Sequence, residues 1–197
     1  MKTHSEDIRT DHEDVAMFKA KKFSLWLFII ASFMIFAALS SGYIVYTASG
    51  IDKGIKILLP QAFITSTVLI VISSVTVHLA YKATLKREDS KRRILLLLTI
   101  LLGIGFFFSQ YHSWQVLIEQ GAYFINNNAS QSFIYVFTGF HLVHILGGII
   151  VLLVALFRNL NKHNDVKNGN SMELTAMFWH FLDILWIYIY VFLLLNQ

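Results

Sequence analysis

The chain has 197 residues, 56% of them hydrophobic and 14% charged, against about 25% charged in an ordinary soluble domain. With a mean hydropathy of +0.59 and 15% aromatic residues, lipid rather than water is the expected solvent. The absence of cysteine excludes disulfides, iron–sulfur clusters, thiolate zinc sites and copper centres that need a bridging thiolate.

The formal charge of +4 and the high pI do not point to nucleic acid. The basic residues sit in short clusters between apolar runs, where they act as topology signals. Residues 1–22 form a polar segment of mixed charge, with Glu6, Asp7, Asp11, Glu13 and Asp14 among its acids. The apolar run that follows is too long for the 7–15-residue core of a secretory signal, so an uncleaved span is expected.

Five apolar runs reach membrane-crossing length, about 20 residues at 1.5 Å each: 23–46, 61–81, 94–118, 132–157 and 174–195. Hydrocarbon leaves no partner for free backbone groups, and no run alternates as a barrel strand would, so each is expected to be helical. The expected fold is all-α, a cytoplasmic segment 1–22 followed by a five-helix membrane domain 23–197.

Orientation follows from the lysines and arginines between spans. Five precede the first span (Lys2, Arg9, Lys19, Lys21, Lys22), and two lie in the first loop (Lys53, Lys56). The second loop holds six: Lys82, Lys86, Arg87, Lys91, Arg92 and Arg93. The third holds none and the fourth three, Arg158, Lys162 and Lys167. Alternate segments therefore total fourteen against two, which places the N-terminus inside and the C-terminus outside.

Polar residues within spans are costly and each is weighed as a functional candidate. In the second span Thr67, Ser74 and His78 share one helical face, a spacing that serves close helix packing. The third span has Gln110, His112, Ser113 and Trp114 toward its outer end, with Trp114 read as an interfacial aromatic. Gly103 and Gly105 leave room for a neighbouring helix. The fourth span carries His141 and His144, flanked by Gly139, Gly147 and Gly148. The fifth carries His180 and Asp183 among Trp179, Trp186 and Tyr190.

Counted at helical rise, His144 lies about 20 Å below its outer end and His180 about 10 Å above its inner end. In a core about 30 Å thick those depths are similar, so His144, His180 and Asp183, with His141 nearby, are expected to form one buried polar network. Such a network could be structural, could transfer protons, or could belong to a bis-histidine haem site.

Two segments carry a resemblance. Phe137-Thr138-Gly139-Phe140-His141-Leu142-Val143-His144 resembles the TGFHxxH signature of subunit III of haem–copper oxidases. Trp179-His180-Phe181-Leu182-Asp183-Ile184-Leu185-Trp186 resembles that family's WHFVDVVW segment, with Tyr188 and Tyr190 continuing its aromatic pattern. Ser73-Ser74-Val75-Thr76, downstream of Pro60, is similar to the family's SSxT stretch.

The resemblance implies a non-catalytic subunit that stabilises the catalytic subunit I, binds structural phospholipid between its helices and supports proton uptake at the inner surface. Haem and copper would then sit in partner subunits and none in this chain. The partners implied are subunits I and II, a possible subunit IV and a possible respiratory supercomplex. The histidines match family positions that hold no metal, which favours the structural network. Five-helix members are typical of bacteria, implying the inner membrane. Quinol oxidases and nitric oxide reductases have related subunits, so the electron donor stays open, while a b-type cytochrome or a small transporter are readings of another class. One departure stands out: Gln110 matches, but the glutamate often found three residues later is Ser113 here.

Overall fold

A computed structural model describes residues 4–50, 59–125, 128–160 and 165–196, with side chains for 13–50, 59–125, 128–158 and 169–196. It contains five helices among the described residues: α1 (His4–Ala48), α2 (Ala62–Leu85), α3 (Asp89–Glu119), α4 (Ala129–Leu160) and α5 (Asp165–Leu195). All five are long and apolar enough to cross a membrane. Each expected span lies within a helix apart from Gln61, which caps the start of α2.

The helices run beyond the apolar stretches because polar flanks at the interface still gain backbone hydrogen bonds by continuing the helix. The largest extension is in α1, whose 45 residues reach back into the polar N-terminal segment. At 1.5 Å per residue it is about 68 Å long, more than twice the hydrocarbon thickness.

Helix ends follow from local sequence. Pro60, the only proline, lies two residues before the first residue of α2, where its missing N–H costs no helical bond. The end of α3 is a Schellman turn in which Ala122 N–H donates to Leu117 O (2.9 Å) and Gly121 N–H to Ile118 O (2.9 Å). Its left-handed position is Gly121, at φ 81°. The end of α2 closes in the same way, with Glu88 N–H donating to Ala83 O (3.0 Å) and Arg87 N–H to Thr84 O (3.1 Å), but Arg87 occupies the left-handed position at φ 58°.

Past that turn, Asp89 opens α3 with a carboxylate near the positive end of the helix dipole and binds Arg92 at 2.8 Å. The Lys91 ammonium, 2.9 Å from Glu88, holds that carboxyl below its usual range. Asn128 caps α4 by accepting the Ser130 N–H at 3.1 Å.

Packing arranges α2, α3, α4 and α5 as a ring in which each helix meets the next: α2 with α3, α3 with α4, α4 with α5, and α5 with α2. The core fills this ring with Phe63, Phe106, Ile145, Trp179, Leu182 and Trp186. Among the described residues α1 approaches only α4 and α5, so it stands outside the ring along one edge.

Candidate functional site

The polar side chains of the spans sort into seams between particular helix pairs. On α2, Thr67, Ser74 and His78 all meet α5. Thr67 Oγ1 accepts the Trp186 indole N–H at 3.0 Å, Ser74 Oγ shares a 2.7 Å hydrogen bond with His180 Nδ1, and the His78 and His180 rings lie 5.9 Å apart. A helical repeat of seven and four residues puts these three side chains on one stripe, and α5 lies along it.

Three of the four tryptophans follow one rule. Each indole N–H donates to a hydroxyl on another helix, and that hydroxyl donates its own proton to a carbonyl of the preceding turn. Trp186 meets Thr67, which donates to Phe63 O. Trp179 meets Ser73 at 2.9 Å, and Ser73 donates to Ile70 O. Trp114 meets Thr138 at 3.0 Å, and Thr138 donates to Ile134 O. Both polar groups are satisfied without water, as a bundle in hydrocarbon requires. Trp114, expected as an interfacial aromatic, is thus also a tie between α3 and α4.

The third seam joins α2 to α3. Gln110 Nε2 donates to Ser66 Oγ at 2.9 Å, Ser66 lies 2.8 Å from Ser109 Oγ, and Thr76 and Thr99 share a 2.8 Å bond. Sequence reasoning passed over Ser66, Thr99 and Ser109, and met Thr76 only within the SSxT stretch. Their signal was present, since small hydroxyl residues recur on the facing stripes of both spans. Ser113, at the position where the family often has glutamate, is fully buried and donates to Ser109 O at 2.9 Å, closing on its own helix.

The four residues expected as one network are divided among three places. His141 is fully buried between Phe106 (ring centroids 5.6 Å apart) and Trp186 (5.2 Å), and neither ring nitrogen has a hydrogen-bond partner among the described residues. His144 faces α1. Its Nδ1 donates to Phe140 O at 2.7 Å and its Nε2 shares a 3.2 Å hydrogen bond with Ser32 Oγ, while Phe28 and Phe36 of α1 contact the ring.

His180 and Asp183 face α2, with His180 Nδ1 3.8 Å from Asp183 Oδ2. Asp183 is buried, and no hydrogen bond closer than that approach reaches either oxygen among the described residues. No group of three or more histidine, aspartate or glutamate side chains among the described residues is arranged to hold a metal.

Two glycines leave no room for a side chain at their positions in the ring. A methyl group at Gly103 of α3 would lie 2.9 Å from Trp179 Cη2, and one at Gly148 of α4 would lie 2.8 Å from Leu182 Cδ1 and 3.0 Å from Trp179 Cζ3. Trp179 therefore occupies a slot whose walls are two helix backbones.

Fold and seams together define a polytopic membrane protein whose spans are pinned by side-chain hydrogen bonds. The model of the cytochrome c oxidase subunit III family matches residues 3–196, and the chain belongs to that family. It is 33% identical over 131 residues to cytochrome c oxidase subunit 3 of Drosophila yakuba, covering 66% of this chain and 48% of that protein. It is 26% identical over 176 residues to the same subunit of Bacillus sp. (strain PS3), covering 87% of this chain and 84% of that protein. The chain thus spans about half the length of the fly relative and most of the bacterial one.

Proposed function

We propose that the chain is the non-catalytic subunit III of a respiratory haem–copper oxidase of the cytochrome c oxidase type. In this reading it sits in a bacterial inner membrane with its N-terminus inside and its C-terminus outside, buttresses the catalytic subunit I and holds structural phospholipid. Haem, copper and the oxygen chemistry belong to the partner subunits.

The observation that carries the reading is the use made of the two motif segments. His141 of the first packs at a tilt against Trp186 of the second, and Trp179 and Leu182 of the second close against Gly148, four residues beyond the first. These residues lock α4 to α5, α3 and α2, a use in scaffolding rather than electron transfer. A haem between His144 and His180 would need imidazoles that face one another, whereas one is turned to α1 and the other to α2.

The test is oxygen consumption by membranes from a strain lacking this chain, followed through sustained turnover. The initial rate is expected to stay near that of the parent, with activity decaying several-fold sooner. An unchanged working life would overturn the buttressing role. Mass spectrometry of what co-purifies with the tagged chain in mild detergent identifies the partners, and a preparation without a haem–copper subunit would overturn the oxidase assignment.

A further inference from the structure

The basic end of the bundle, where α2 stops and α3 and α5 begin, holds a cavity of about 250 Å³. At about 30 Å³ per molecule that is room for about eight waters, or for one phosphate group and the glycerol attached to it. Its walls include Tyr81 of α2, Arg87 of the turn, Asp89 and Arg92 of α3, and Asn170 and Glu173 of α5.

Arg92 sets the character of the cavity. Its side chain is 8% exposed, and among the described residues its one hydrogen bond runs from Nη2 to Asp89 Oδ1 at 2.8 Å. A guanidinium carries five N–H donors, and a buried charge is normally met by acceptors. Nε is sealed without a partner, which leaves the terminal nitrogens to face the cavity that Arg92 lines. Asn170 and Tyr81 add an amide and a hydroxyl to the same walls.

The two carboxylates there already have cations, Asp89 in Arg92 and Glu173 in Lys22 at 2.7 Å. Residues 82–93 carry six lysines and arginines against Glu88 and Asp89. A concave site under such a field concentrates anions, and the amino end of α3 adds its dipole in the same sense. The walls run from Tyr81, the last residue of the apolar run, to the first turn of α3. That is the level of the membrane interface, where anionic headgroups and juxtamembrane basic residues meet.

We propose that this cavity binds a phosphate group, which accepts hydrogen bonds from the terminal nitrogens of Arg92 and from Arg87. Two sources present that chemistry at this level, a phospholipid headgroup and free phosphate. The inference goes beyond the subunit reading and does not depend on it, since every wall residue belongs to this chain.

The experiment uses the full chain with whatever subunits accompany it, washed free of loosely held lipid in mild detergent. Binding of labelled inorganic phosphate is followed by equilibrium dialysis, and binding of dihexanoyl phosphatidylglycerol by native mass spectrometry. One saturable site per chain is expected for at least one probe, and the probe that binds names the source. Arg87→Gly removes a guanidinium at a position, φ 58°, that glycine adopts without strain. It should weaken binding about tenfold, the scale of one charge-assisted hydrogen bond, and unfold no earlier than the parent. Arg92→Lys, which keeps the charge and loses the fork, should also weaken binding. Lys86→Gln, which removes an exposed charge outside the cavity, should change it by less than about twofold.

The lack of a saturable site for both probes overturns the proposal. So does parental affinity in Arg87→Gly, or a loss in Lys86→Gln as large as in Arg87→Gly, which would mark a diffuse basic surface. If Arg87→Gly unfolds early, Arg87→Asn takes its place, because asparagine also tolerates the left-handed backbone.

Discussion

A histidine sealed between two aromatic rings, with neither nitrogen bonded, loses its hydration and gains no hydrogen bond in exchange. Among the described residues, that is the position of His141 between Phe106 and Trp186. What the site uses is the ring's shape and its contacts. His141→Phe keeps both ring contacts and removes the unpaired polar atoms, which offsets its extra volume, so stability should change by less than about 1 kcal/mol, in either direction. His141→Ala should cost about 2–4 kcal/mol by leaving a cavity. Thermal or SDS-induced unfolding of the two variants in detergent separates the cases, and a loss with phenylalanine as large as with alanine would mean that the nitrogens are bonded. The residue types and their depth were legible in the sequence, but their direction was not. Residues three apart point about 60° apart around a helix, enough to turn His141 into the ring and His144 toward α1. A count of depth along the axis says nothing about azimuth, which is why His144 and His180 share a level without sharing a seam.

The same angular step decides which glycines matter in the helix contacts. Gly147 and Gly148 are neighbours, 100° apart, and only Gly148 faces Trp179 and Leu182, while nothing lies within 4 Å of a methyl at Gly147. Gly148→Ala should therefore destabilise by about 1–3 kcal/mol, because the indole and the leucine have a helix backbone on the other side and no slack. Gly147→Ala should be neutral or stabilising by up to about 1 kcal/mol, since alanine is the better helix former. Equal effects in an unfolding titration would show that the slot is not tight. Gly103 and Gly105 repeat the contrast on α3, where Gly105 has only an ordinary 3.8 Å contact with Leu69. Small residues in a span announce that some helix comes close, but which of two adjacent glycines is used depends on a partner that the local sequence does not name. The helix ends were more legible: Gly121 closes α3 as a glycine at the left-handed position should, and Asn128 caps α4. Arg87, in the same left-handed role at the end of α2, gave no such signal.

At the scale of the molecule, five spans can be counted from apolar length alone, but not their order around the bundle. Each span is apolar on most of its circumference, and the hydroxyl stripes on α2 and α3 mark a side that packs without naming the helix packed against it. The place of α1 outside the ring emerges from its polar ties: Lys22 to Glu173 at 2.7 Å, Ser32 to His144 at 3.2 Å, Ser40 to Tyr188 at 2.7 Å, and Tyr46 to Ala129 N–H at 3.0 Å. They run along α1 from Lys22 to Tyr46 and hold it to α4 and α5.

Which end of this bundle faces the cytoplasm rests on the basic residues, and the chain's lack of cysteine makes that open to a clean test. Ser90, beside the basic α2–α3 turn, and Gln120, at the far end of α3, are both exposed and stand at opposite ends of one helix of 31 residues. Introduced singly, Gln120→Cys should react with a membrane-impermeant maleimide in right-side-out vesicles, and Ser90→Cys only once the vesicles are opened. The excess of lysine and arginine on the Ser90 side sets this expectation, because translocating that cluster would oppose the membrane potential at about 2.3 kcal/mol per charge per 100 mV. The reverse pattern would invert the molecule, and labelling of both cysteines in sealed vesicles would mean mixed insertion.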